Sequence, residues 1–155
     1  MAAKASAGIL MYRRRGKSLE VLLVHPGGPF WRRKEAGAWS IPKGEFGPDE
    51  PAETAARREF TEELGRPPQG ALIPLGEIRQ AGGKRVVAFA VEGDFDESRI
   101  ESNQFEIEWP PHSGRRLLFP EVDRAAWFDL ARARDRIVIG QMPLLDRLAE
   151  ISKAH

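Results

Sequence analysis

The residues of this chain best equipped for chemistry are Arg58, Glu59, Glu62 and Glu63. They close a helix-forming run over residues 44–65, GEFGPDEPAETAARREFTEELG. On a helix, positions i, i+3 and i+4 project from one side, so the three glutamates hold like charges close together. That crowding asks for a compensating cation. Hard carboxylate oxygens suit Mg²⁺ or Mn²⁺, ions held by a few carboxylates together with the phosphates of a substrate. A helical projection at about 100° per residue puts Ala52, Ala55, Ala56, Glu59, Glu62 and Glu63 on one half. Glu50, Thr54, Arg57, Arg58 and Thr61 fall on the other, with Phe60 and Leu64 flanking. Charge runs usually end on solvated faces, but here the glutamates share their face with small alanines. Alanines let a helix sit close to its neighbour, so the carboxylates are expected to line a cleft.

Gly44, five residues, Glu50, seven residues and then Arg58-Glu59-Phe60-Thr61-Glu62-Glu63-Leu64-Gly65 closely resemble the Nudix box. Seven residues at fixed spacing, each used at several per cent, coincide by chance at about one in 10⁸ placements. The family usually carries an aliphatic residue where this chain has Phe60, and another where it has Arg66. The resemblance implies an α/β fold, the Nudix-type α/β/α sandwich with a mixed β-sheet flanked by helices. It also implies a hydrolase that cleaves a nucleoside diphosphate linked to another group, with Mg²⁺ or Mn²⁺ as cofactor. Such chemistry suits these residues, because an anionic phosphate chain resists attack by water until cations neutralise it and orient the nucleophile. By the resemblance, Glu59, Glu62 and Glu63 are the metal ligands, joined by the backbone carbonyl of Lys43. Arg58 then orients a glutamate, Glu50 fixes the loop and the helix start, and Gly65 ends the box. Gly44 lets the loop approach the helix closely.

The general base in this family is a box glutamate or a carboxylate from a distant loop. Outside the box the candidates are Glu121, which precedes the strand around Trp127, and after it Glu106 or Glu108. Taken singly, each has the ordinary alternative of a solvated surface acid. Two cationic stretches offer substrate contacts: Trp31-Arg32-Arg33-Lys34, ahead of the catalytic loop, and Arg115-Arg116. Arginine supplies forked donors for phosphate oxygens, and Trp31 a face on which a base can stack. Lys43 lies beside the box glycine and therefore near the metals. His25 and His112 have no partner ligands at metal spacing and read as turn or surface residues. Trp39, Trp109 and Trp127 sit in apolar runs and read as core or rim packing.

Residues 7–12 and 19–24 read as two strands joined by a turn at Gly16. Residues 25–38 are loop-like, with Pro26, Gly27, Gly28, Pro29 and Gly37 as breakers, and residues 39–42 form a short extended approach to the box. The helix is expected over residues 50–64, with Pro51 in its first turn and Gly65 as its stop. A second hairpin is expected from residues 71–80 and 84–92 around Ala81-Gly82-Gly83. Residues 93–120 are the least legible, with one strand expected near residues 105–109. A last strand over residues 125–128 leads to Asp129 as the cap of a helix over residues 131–137, and another helix covers residues 143–151.

At 155 residues the chain fits one domain, 1–155, with a real core. Its 41% hydrophobic and 30% charged content is that of a soluble globular protein. A net charge of +1 gives no general attraction to nucleic acid or anionic membranes. Cysteine is absent, which removes disulfides and thiolate metal sites and fits a reducing cytoplasm. No secretory signal or membrane-length apolar stretch is evident.

Substrate markers outside the box are mostly missing. The tyrosine common in diadenosine polyphosphate hydrolases has no counterpart, and Gln80 stands in the region where many ADP-ribose hydrolases have proline. The zinc ribbon of NADH-cleaving relatives is ruled out without cysteine. The run Trp39-Ser40-Ile41-Pro42-Lys43-Gly44 looks like the approach to the box in hydrolases of nucleoside triphosphates and dinucleoside polyphosphates. The expected partner is thus a small nucleotide; the sequence does not set the oligomeric state, and a homodimer is one open assembly. Two alternatives stay open: hydrolysis of RNA 5′ ends, should the two arginine pairs form one groove, and a non-catalytic nucleotide sensor on the same fold.

Overall fold

A computed structural model describes residues 5–154; residues 1–4 and 155 of the expected domain lie outside the described residues. Strand β1 (Ala5–Arg15) and strand β2 (Ser18–Pro26) each carry an unbroken apolar run, residues 7–12 and 21–24. Such continuous runs belong to strands covered on both faces. They form a hairpin with Arg15 opposite Ser18, closed by Gly16 at φ 60°, a conformation glycine adopts without steric cost.

β1 organises the sheet. Along one edge it pairs with β2 and, lower down, with the short strand β3 (Lys43–Phe46). Along the other edge it runs parallel to β5 (Arg85–Glu92), which pairs in turn with β4 (Ile73–Arg79). β8 (Val122–Asp129) completes the far side by pairing antiparallel with β2. The result is a mixed six-stranded sheet with the path β4-β5-β1-β2-β8.

Alternate residues feed two cores. Ile9, Met11, Leu22 and Val24 pack with Ala55, Ala56, Phe60 and Leu64 of helix α1 (Ala52–Leu64). Leu10, Tyr12, Val21 and Leu23 pack on the opposite face with Ala133 of α2 (Leu130–Arg136) and Leu144, Leu145 and Leu148 of α3 (Met142–Ala154). This is the expected sandwich of helices on both faces of a mixed sheet. Among the described residues no helix is long and apolar enough to cross a membrane.

The structure refines several boundaries. α1 begins at Ala52, with Pro51 as an extended N-cap (ψ 143°), so Glu50 precedes the helix. The fixed ring of a proline disfavours helical geometry in the residue before it. Gly65 ends α1 in the left-handed region at φ 91°, and a Cβ there would meet Glu101 at 2.8 Å. Asp129 caps α2 as expected, its Oδ1 accepting from the Arg132 N–H at 2.8 Å. Residues 93–120 hold more than the single expected strand: β6 (Gln104–Glu108) and β7 (Arg116–Pro120) form a separate antiparallel hairpin. Leu117 and Leu118 of β7 are both exposed, so no inside–outside alternation marked it in the sequence.

Phe60 takes the interior position usually filled by an aliphatic residue. It is wholly buried rather than flanking and meets Phe95 edge to face at 6.0 Å. Phe60→Ala is expected to lower unfolding stability by about 3–5 kcal/mol, whereas Phe60→Leu should cost below about 1.5 kcal/mol. Urea titration measures both, and a loss under about 1 kcal/mol for the alanine variant would contradict a tightly packed site.

Candidate active site

α1 presents its carboxylates through one arginine. The Arg58 guanidinium donates to both carboxylate oxygens of Glu50 at 2.9 Å, a bidentate pair, and to Glu59 Oε1 at 2.8 Å. The same nitrogen that bonds Glu59 also reaches Glu62 Oε1 at 3.2 Å. Although Arg58 starts on the opposite half of the helix, its long side chain spans to residues one and four positions ahead. Pairing with Glu50 first, and then with Glu62 and Glu59, raises its pKa further and keeps it cationic. Glu50, outside the helix, is thereby anchored to it, and its carboxyl is held below the ordinary range.

Glu59 and Glu63 are buried, at 7% and 9% exposure, while Glu62 is only half-buried. Gly44 explains how Glu59 fits: a Cβ on it would lie 2.1 Å from the Glu59 carboxylate. Only a residue without a side chain allows this approach. Glu63 accepts from the Lys43 backbone N–H, and burial, then repulsion from Glu59 and Glu121, pushes its pKa to about 8. Burial and Glu62 likewise raise Glu59 and Glu121. Burial lowers the Lys43 ammonium, against the attraction of Glu63.

A cluster of desolvated, mutually repelling carboxylates is a donor set suited to a hard divalent cation. Glu59, Glu62 and Glu63 fit that role chemically. Among the described residues no three acidic or imidazole groups already converge as a ligand cage, because Arg58 draws Glu59 and Glu62 to itself. The residues would have to exchange part of that pairing for a metal.

A cavity of about 260 Å³ opens beside this helix. Lys43, Glu63, Glu121 and Trp31 line it together, with apolar Val24, Ile41 and Val138. Glu121 thus reaches the box glutamates from the far end of the chain. The segment before it does the positioning: Asn103 N–H donates to the Glu62 carbonyl at 2.9 Å, and Glu121 N–H to the Asn103 carbonyl at 2.7 Å. Glu101 N–H donates to the Leu64 carbonyl at 3.1 Å. These bonds satisfy carbonyls that a helix end leaves without intrahelical partners. Sequence reasoning missed this role of residues 101–103, since no local pattern announces a segment that caps a helix forty residues earlier.

Other expected residues fall elsewhere. Arg32 and Arg33 line a separate concavity with Pro29, Phe30 and Lys34, not the cavity of Glu63. Glu106 pairs with Arg116 at 2.7 Å, and Glu108 accepts from the His112 N–H at 2.8 Å. Both acids serve the β6–β7 hairpin and do not line that cavity. His25 is a correction: it is fully buried, not a turn or surface residue. Its Nε2 donates to the Lys34 carbonyl at 2.7 Å, and its Nδ1 faces Asp123 Oδ1 at 2.8 Å. It ties the Trp31 loop to β8. Trp39 is buried beside it at 5.2 Å, as core packing requires.

The chain matches the NUDIX domain family over residues 2–148. Similar solved structures include an Ap4A hydrolase from C. elegans in a binary complex, with a TM-score of 0.68 and 20% identity over 97% of this chain and 99% of that one. The NUDIX domain of Shewanella oneidensis NrtR complexed with ADP ribose gives 0.65 and 19%, covering 98% and 90%. A MutT protein from Methanosarcina mazei Go1 gives 0.63 and 18%, covering 97% and 96%. No curated protein matches significantly. The chain belongs to the NUDIX domain family and is a pyrophosphohydrolase.

Two outcomes test the site. Between pH 4.5 and about 8 the unfolded chain carries Glu63 ionised while the folded chain keeps it protonated, so folding takes up a proton and stability falls as pH rises through that window. Metal-free protein should therefore melt several degrees lower at pH 8 than at pH 5, and Glu63→Gln should flatten the dependence. Gly44→Ala should displace the Glu59 carboxylate and weaken Mg²⁺ or Mn²⁺ binding at least about tenfold, a loss of some 1.4 kcal/mol. Calorimetric titration with Mn²⁺ measures it, and unchanged affinity would dissociate Gly44 from the metal site.

Proposed function

We propose that this chain uses Mg²⁺ or Mn²⁺ to cleave a pyrophosphate bond in a nucleoside diphosphate-linked substrate, with nucleoside triphosphates or dinucleoside polyphosphates as its class. The observation that carries this reading is the shared cavity, in which Glu63, Glu121 and Lys43 face one space beside the Arg58-clamped helix. Glu59, Glu62 and Glu63, with the Lys43 carbonyl, are the residues to hold the cation. When bound, the metal neutralises the phosphate chain and lowers the barrier to attack by water. Arg58 holds Glu59 and Glu62 in place against their mutual repulsion. The Lys43 ammonium steadies phosphate oxygens at the cavity wall. Glu121 takes the proton of the attacking water on its carboxylate, a role supported by its place in the same cavity as Glu63 and by its backbone tie to Asn103. Trp31 at the rim offers a stacking face for the base.

One observation favours a second reading, RNA 5′ ends. Phe30 and Trp109 meet edge to face at 5.3 Å, and the Trp109 N–H donates to the Arg115 carbonyl at 2.9 Å. These contacts set the loop that carries Arg32 and Arg33 beside the hairpin that carries Arg115, while Arg116 pairs with Glu106.

Product analysis with Mg²⁺ across nucleoside triphosphates, dinucleoside polyphosphates, nucleotide sugars and ADP-ribose separates the classes. Glu63→Gln should lose at least about 10²-fold in turnover, and Glu121→Gln about 10²–10⁴-fold in kcat with KM little changed. Near-normal Glu63→Gln activity would remove the metal assignment. The RNA reading predicts that affinity for a 5′-triphosphate RNA falls about tenfold or more between 50 and 200 mM salt, through counterion release. A flat response would leave the small nucleotide as substrate.

A further inference from the structure

Beyond the charged groups, the wall of the same cavity carries a chain of amides whose polarity is fixed from the backbone outward. The Ile41 N–H can only donate, and it donates to Gln141 Oε1 at 3.0 Å. Gln141 is fully buried, and its orientation is thereby set. Its Nε2 must then donate, to Ser40 Oγ at 3.0 Å and to Gln80 Oε1 at 2.9 Å. Gln80 is consequently held by its carbonyl oxygen, and its own Nε2 is the remaining free end. Among the described residues that Nε2 has no hydrogen-bond partner, and none of the buried side-chain nitrogens or oxygens is left unsatisfied, so this amide nitrogen opens onto solvent-accessible space. Gln80 and Gln141 both line the cavity.

The backbone of Gln80 is fixed as well. Its N–H donates to the Lys84 carbonyl at 2.7 Å, its carbonyl accepts from Gly83 at 3.1 Å, and Gly140 packs on it so closely that a Cβ there would lie 3.1 Å from its Cα. The extended approach segment gives the distance to the phosphate end. Lys43 bonds Glu63 and Ile41 bonds Gln141, two residues apart, or about 6.6 Å along an extended chain. The lining of the same cavity includes apolar Val24, Ile41 and Val138. A flat heteroaromatic ring suits that lining better than a second phosphate does, and the cavity of about 260 Å³ is slightly smaller than the roughly 300–1,000 Å³ usual for ligand cavities.

We infer that Gln80 is the specificity-determining residue of this site, reading the nucleobase edge at purine C6 or pyrimidine C4 with two N–H donors, so that the protein prefers bases with a carbonyl at that position (guanine, hypoxanthine, uracil) over bases with an amino group there (adenine, cytosine). The inference rests on the proposed nucleotide substrate. An amino group facing Gln80 sets donor against donor and leaves both unpaired, and mismatches of this kind cost more than a missing contact. Gln141 is a positioning residue, because it acts only by dictating which end of the Gln80 amide faces the cavity.

Equilibrium binding of GMP, IMP, UMP, AMP and CMP to the full chain tests this without turnover. The first three should bind about tenfold or more tightly than the last two, the size of one well-made hydrogen bond. Gln80→Glu keeps an oxygen for Gln141 but replaces the donors with an acceptor, and should reverse the order. General repulsion of phosphate by the new charge would weaken all five nucleotides alike and leave the ratio unmoved. Gln141→Glu still accepts from Ile41 but can no longer donate, so the Gln80 amide turns and shows its carbonyl; this variant should also reverse the order. Should Gln80→Glu fail to melt cooperatively, the native panel and Gln141→Glu decide. Equal binding of all five nucleotides, an amino preference in the native chain, a ratio unmoved by the variants, or no binding at all overturns the inference. Hydrolysis of the matching triphosphates reports separately: carbonyl-selective binding without metal-dependent cleavage would sink the pyrophosphohydrolase chemistry and leave Gln80 standing.

Discussion

Everything in this structure depends on holding several carboxylates close together away from water. Left alone, Glu59, Glu62 and Glu63 repel one another, and burial of Glu59 and Glu63 makes their charged forms costlier still. Arg58 makes the arrangement tolerable by bonding Glu50, Glu59 and Glu62 at once. It converts a repulsive row into a network that a cation can enter, and it fastens the loop bearing Glu50 to the helix. Gly44 follows from the same constraint, since the buried Glu59 carboxylate occupies the space a side chain would need.

The fold supplies the rigidity this requires. α1 lies against a sheet whose central strands are covered on both faces, so its position is set by packing and not by its own helical propensity. Its C-terminal turn, where Glu62 and Glu63 reside, is bonded to Glu101 and Asn103. The same short segment delivers Glu121 to the cavity. His25 performs a comparable task on the other rim by fastening the Trp31 loop to β8 through the Lys34 carbonyl and Asp123. One cavity is therefore framed by pieces of chain far apart in sequence, each tied by backbone bonds and not by side-chain packing alone.

The cavity gathers unlike groups: Glu63, Glu121 and Lys43 share one lining with apolar side chains, Trp31 and the Gln80–Gln141 pair. Arg32 and Arg33, with Phe30, line a separate concavity.

The amino-acid sequence by itself determined the carboxylate-bearing helix and the fold class. Spacing in the box, glycine at positions 44 and 65, apolar runs in β1 and β2 and Asp129 as a cap are all local signals, legible because helical and strand periodicities act over a few residues. Glu121 was legible only as one acid among several, until tertiary structure placed it in one cavity with Glu63 and placed Glu106 and Glu108 in a hairpin. Tertiary structure alone decided the burial of His25, the capping by residues 101–103, the strand β7 and the amide chain from Ile41 through Gln141 to Gln80. These depend on contacts spanning tens of residues, up to 100 between Ile41 and Gln141. A hydrogen bond between distant residues leaves no period in the sequence. Its partners look like ordinary polar residues until the chain has closed around them.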